Sequence, residues 1–107
     1  MKTLNYNLTN DTTIKAMNAV DSVGSDPIMT VANRAANQAE FTLYYQSEDY
    51  AKAGNTSKIY YILNKFLIDA GRTLTLDKTD FGFGNEGYDL WMSVDAANQE
   101  LDVIINI

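Results

Sequence analysis

The alternation that runs from Tyr88 to Ile107 constrains the fold of this chain more than any other feature. Tyr88, Leu90, Met92 and Val94 oppose Asp89, Trp91, Ser93 and Asp95, and Leu101, Val103, Ile105 and Ile107 oppose Glu100, Asp102, Ile104 and Asn106. A period of two is that of a half-buried strand. Ala96-Ala97-Asn98-Gln99 separates the two runs, so they read as an antiparallel hairpin. Leu74 and Leu76, alternating with Thr73 and Thr75, add a third strand and complete a C-terminal meander. At the other end, Leu4, Tyr6 and Leu8 alternate with Thr3, Asn5 and Asn7 and give an N-terminal strand.

Between these ends the spacing changes to that of helices. Asn10 and Asp11 offer capping oxygens to a short helix with Ile14, Met17 and Val20 on one face, ended by Gly24. Asp26 and Pro27 suit the N-cap and first position of a second, and Ile28, Val31, Ala32, Ala35, Ala39 and Leu43 carry it to about residue 46. Phe41, Leu43 and Tyr45 equally suit a strand, and the local sequence leaves both open. Asn55-Thr56-Ser57 caps a third helix with Ile59, Ile62, Leu63, Phe66, Leu67 and Ala70 at i, i+3, i+4 spacing, closed by Gly71. The expected fold is α+β: an N-terminal strand, two to three helices, then a three-stranded antiparallel meander with the helices packed on one sheet face. Residues 1–107 read as a single compact domain, a length that buries a modest core.

The charge is unevenly placed. Residues 1–76 hold seven acids and seven bases, whereas residues 77–107 hold seven acids and only Lys78, so the net charge of −6 belongs to the C-terminal strands and their loop. Strand parity puts Asp89, Asp95, Glu100 and Asp102 opposite the apolar residues, with Trp91 and Ile104 among them. In a hairpin these would share one outer surface. Such a surface serves solubility, or docks a basic partner with Trp91 as anchor and carboxylates steering the encounter. The same charge disfavours direct nucleic-acid binding.

The loop before Tyr88 contains Asp80-Phe81-Gly82 and Gly82-x-Gly84-x-x-Gly87. A dinucleotide fingerprint needs a helix after its glycines, and here a strand follows, among acids that repel phosphate. The kinase string acts only inside a far larger apparatus. Asp77, Asp80, Glu86 and Asp89 are hard oxygen ligands, but Thr79 and Phe81 stand where an EF-hand loop needs ligands. The glycines therefore read as turn residues.

With no Cys and no His, the chain lacks a thiolate, an imidazole base and the usual zinc ligands. No cofactor and no metal are expected, and a non-catalytic role follows. Eleven Asn residues suit caps and turns or a polar recognition surface. Tyr44-Tyr45, Tyr50 and Tyr60-Tyr61 suit core edges or an interface. The opening KTLNYNLTNDTT lacks the apolar core of a secretory signal, and no apolar run spans a bilayer, so cytoplasmic residence is the expectation.

Small, acidic, Asn-rich and without His or Cys, the chain resembles in build the inhibitors that phages and mobile elements direct against host nucleases, anti-CRISPR and anti-restriction proteins included. The resemblance covers physical character and no specific residues. It implies an inhibitor of a basic nucleic-acid-handling partner, nucleic-acid mimicry included; the charge pattern, independently of it, offers Asp77, Asp80, Glu86, Asp89, Trp91, Asp95, Glu100 and Asp102 as the partner-binding residues of a monomer or homodimer. The alternatives are an immunity protein for a cationic toxin, a virion structural or assembly protein, and a small carboxylate-dependent enzyme.

Overall fold

The computed structural model describes residues 3–9, 12–17, 27–47, 59–81, 88–94 and 100–106. Among the described residues eight strands and one short helix follow in chain order: β1 (Thr3–Thr9), β2 (Thr12–Met17), β3 (Ile28–Asn33), β4 (Ala39–Ser47), β5 (Ile59–Ile68), β6 (Thr73–Leu76), α1 (Lys78–Phe81), β7 (Tyr88–Val94) and β8 (Glu100–Asn106). They form two four-stranded antiparallel sheets, β1-β8-β3-β6 and β2-β7-β4-β5, here sheets I and II. The fold is therefore a β-sandwich, and the α+β expectation does not hold.

Each sheet turns its apolar parity inward. Leu8, Met29, Val31, Leu101, Val103 and Ile105 from sheet I are fully buried, as are Phe41, Leu43, Leu90, Met92 and Val94 from sheet II. Burying a side chain of this size stabilises by about 1.5–3 kcal/mol, which offsets the entropy of ordering the strands. Tyr6 spans the two sheets, its hydroxyl donating to the Ala16 carbonyl at 2.6 Å.

Four corrections follow. The segment expected as the first helix contains β2, where the bulge between Lys15 and Met17 brings Ala16 and Met17 both inward and breaks the alternation. The second expected helix is β3 and β4, and the strand alternative for Phe41, Leu43 and Tyr45 is the one realised. Its Ala spacing reflects small residues at strand positions and at the connection between them.

The third expected helix is β5, and its misleading period has a definite cause. The ten residues of β5 run alongside Ala39–Gln46 of β4, and the register shifts twice, between Phe41 and Leu43 and between Leu43 and Tyr44. Two bulges insert an extra residue each, so apolar positions that would recur every second residue recur at three and four. Lys65 sits in one bulge with φ 53°, its amide donating to the Thr42 hydroxyl at 3.1 Å. Gly71 does adopt a left-handed φ of 77°, but in a turn closed by the Arg72 amide on the Asp69 carbonyl at 3.0 Å rather than as a helix cap.

The C-terminal runs are strands, but not a meander. β7 pairs with β2 and β4, while β8 pairs with β1 and β3, so the connection between them crosses from one sheet to the other. β6 pairs with β3. Alternation encodes which face each strand buries, and leaves its partner to distant segments.

Candidate functional site

The division of β7 from β8 separates the acidic residues. Asp89 and Trp91 lie on the outer face of sheet II, whereas Glu100, Asp102 and the exposed Ile104 lie on the outer face of sheet I, across the sandwich. Asp77 and Asp80 flank the start of α1. Glu86 and Asp95 fall outside the described residues. The single acidic surface expected from a hairpin is not formed among the described residues.

Basic partners within the chain already engage the described outer-face acids. Lys15 Nζ stands 3.6 Å from Asp89 Oδ2 and 5.8 Å from the centre of the half-buried Trp91 ring. Arg34 bridges Glu100 and, at 2.6 Å through Nε, Asp102, which also accepts from the Asn7 amide at 2.8 Å. Asp77 works as a cap: its Oδ1 accepts from the Thr79 amide at 2.9 Å and from the Thr79 hydroxyl at 2.5 Å, which holds its carboxyl below the usual carboxylate range. Asp80 Oδ2 accepts from the Asp77 amide at 2.9 Å. No cluster of three metal-ligating side chains occurs among the described residues.

Aromatic side chains converge where the acids do not. Lys15, Trp91, Tyr44 and Tyr61 occupy one register row across all four strands of sheet II, with the Tyr44 and Tyr61 rings 5.7 Å apart. Beside the end of this row, at the edge strand β5, a cleft of about 460 Å³ opens between sheet II and α1. Tyr45, Tyr60, Tyr61 and Tyr88 line it, with Asp80 and Phe81 of α1.

The strands account for this convergence. Tyr45 pairs with Tyr60 and with Leu90, so Tyr45, Tyr60 and Tyr88 share the inner face of sheet II at one end of the sandwich. There α1 stands in for further core, Phe81 being buried. The bulge between Leu63 and Tyr61 presents Tyr61 to the same cleft from the edge of β5. Tyr60 and Tyr88 pack edge to face, centroids 5.6 Å apart and planes at 89°, and make two walls of a corner.

Two phenols of this cleft are perturbed by their surroundings. Tyr45 donates to the Phe81 carbonyl at 3.4 Å, and burial pushes its phenol above the ordinary value. Desolvation pushes the Tyr88 phenol up as well, helped by Tyr60 and the hydrogen bond between them. Ring faces and the Asp80 carboxylate, one oxygen of which accepts from the Asp77 amide, are the chemistry that the cleft offers. The tyrosine doublets were visible in the sequence, but Tyr88 and the convergence were not.

Eight strands ordered 1-8-3-6 and 2-7-4-5 in two antiparallel sheets define the jelly-roll class of β-sandwich. The crystal structure of PirA is similar to this chain at a TM-score of 0.51 and 10% sequence identity, covering 96% of this chain and 90% of that one. That likeness concerns the fold alone, since one sandwich carries many unrelated functions. No protein-family model matches the chain, and no curated protein does. No helix among the described residues is long and apolar enough to cross a membrane.

Proposed function

We infer that this chain is a non-catalytic binding module that takes a small organic group, free or displayed on a larger partner, into the tyrosine-lined cleft at the end of sheet II. The observation that carries this reading is the convergence of Tyr45, Tyr60, Tyr61 and Tyr88 from three strands around one open cleft of about 460 Å³. Ligand sites are concave, of about 300–1,000 Å³, and aromatic with a few placed polar groups. Tyrosine supplies rigid contact area at little entropic cost. Among the described residues the cleft presents one carboxylate, Asp80, which anchors a ligand but offers no paired acid and base.

A second reading keeps the inhibitor of a basic, nucleic-acid-handling protein. It is favoured by the net charge of −6 and by the exposed Ile104 beside Asp102 and Asn7, where a shallow groove of about 380 Å³ lies on sheet I. Its surface is smaller than the sequence suggested, because Arg34 neutralises part of it.

Amide shift mapping of the labelled protein separates the two readings. The probes are choline, methyl α-glucoside, a nucleotide and a tetralysine peptide. Shifts concentrated at Ile59–Ile62, Tyr45, Asp80 and Tyr88 with a small probe support the module. Shifts confined to Glu100–Ile104 with tetralysine transfer the function to the second reading, and no shifts with any probe refute the module.

A further inference from the structure

We propose that the group bound in the tyrosine cleft is an alkylated ammonium, of the kind carried by choline or a methylated amine. The proposal rests on the binding-module reading and names the ligand class of that site. Four tyrosines surround the cleft, and a ring face carries negative charge density that attracts a cation. Tyr60 and Tyr88 meet at 89° with centroids 5.6 Å apart, so a tetrahedral ammonium seated in their corner lies against aromatic surface on two sides.

Charge and hydrogen-bond capacity then select among ligands. Asp80 contributes a carboxylate at the cleft, and the whole chain carries a net charge of −6. Both favour a cation over an anion. A sugar would need several free donors, yet the Tyr45 hydroxyl donates to the Phe81 carbonyl. A primary ammonium brings three N–H donors that must find acceptors when desolvated. A fully methylated nitrogen brings none, and spreads its charge over methyl groups that suit aromatic walls. The ring faces of Tyr60 and Tyr88, with the Asp80 carboxylate as counter-charge, match that last chemistry.

The test is calorimetric and NMR titration of the full chain with choline, ethanolamine and 3,3-dimethylbutan-1-ol, the uncharged carbon isostere of choline. Choline is expected to bind about tenfold more tightly than either of the others, the ratio for a desolvated cation–π contact of about 1.4 kcal/mol. Tyr60→Leu removes a ring at an exposed position and should weaken choline about tenfold, whereas Tyr60→Phe restores the ring and should recover most of that loss. Asp80→Asn should weaken choline severalfold and reduce its salt dependence. Retention of the wild-type amide spectrum shows that each variant is folded.

Equal binding of choline and its isostere overturns the proposal, because the charge then counts for nothing. Binding of methyl α-glucoside at the cleft without choline also overturns it, while leaving the binding module standing. Failure of every probe to shift the cleft residues removes both.

Discussion

Asn33 is the residue whose replacement probes the fold most sharply. It is 2% exposed at the end of β3 and ties three segments together. Its side-chain amide donates to the Ile68 and Asn37 carbonyls, each at 2.9 Å, and its oxygen accepts from the Ala35 amide at 2.9 Å. Its backbone amide donates to the Arg72 carbonyl at 2.9 Å, and its carbonyl accepts from Gly71 at 3.0 Å. One side chain thus fixes both the β3–β4 connection and the turn by which β5 of sheet II passes to β6 of sheet I.

Asn33→Ala removes all three side-chain bonds and strands the groups that made them. Each buried group left unpaired costs about 1–3 kcal/mol. Water entering the vacated space recovers part of that, so the expected loss is about 3 kcal/mol, or roughly 12 °C in melting temperature for a domain of this size. Asn33→Asp keeps the acceptor for Ala35 but sets a carboxylate against two carbonyl oxygens. It should be worse than alanine at neutral pH and should improve as acid protonates the new carboxyl, which can then donate one bond. Thermal melts followed by circular dichroism read both variants. An alanine variant melting within about 3 °C of wild type, with aspartate no worse, would refute the reasoning.

Core and edge should respond very differently. Phe41→Ala, at a fully buried centre of sheet II, is expected to cost about 3–5 kcal/mol, whereas Leu67→Ala, half exposed on β5, should cost less than about 1 kcal/mol in a urea unfolding series. Tyr45 has its phenol raised above 10.0 by burial, so its contribution is complete below the unfolded value and is lost as pH climbs through the folded one. Melts between pH of about 8 and about 11 should therefore fall less steeply for Tyr45→Phe than for wild type. Asp77, held below 3.8 by Thr79, contributes stability above the unfolded value that is lost as pH falls through the folded one, and carbon-detected titration should find its midpoint below that of a free aspartate.

How far the sequence foretells this molecule depends on which element is considered. β1, β6 and β8 are legible because each alternates a more buried face with a more exposed one, and β7 because its apolar residues alternate in sequence, although Asp89 and Ser93 on its other face are buried too. β5 is not, because two bulges against β4 convert a period of two into one that imitates a helix. β2 fails for a related reason, a bulge that turns Ala16 and Met17 both inward. The sandwich itself is not legible locally, since β8 pairs with β1 from the far end of the chain while β7 pairs with β2 and β4.

The candidate site divides the same way. Tyr44-Tyr45 and Tyr60-Tyr61 read in the sequence as doublets suited to core edges or an interface; β4 and β5 bring them together, and Tyr60 and Tyr61 are exposed rather than part of a core edge. Asp80 reads in the sequence as part of an acidic surface that the sheets do not form among the described residues. The acids of β7 and β8 were assigned correct parities and a wrong common face, because parity is local and sheet membership is not.

The most direct measurement is an isotope-filtered NOE experiment on labelled protein with choline in excess. Cross-peaks from the N-methyl protons to the ring protons of Tyr60 and Tyr88 are expected, weakened in Tyr60→Leu. Cross-peaks to residues elsewhere, or none with choline in large excess, would contradict a ligand site in the cleft.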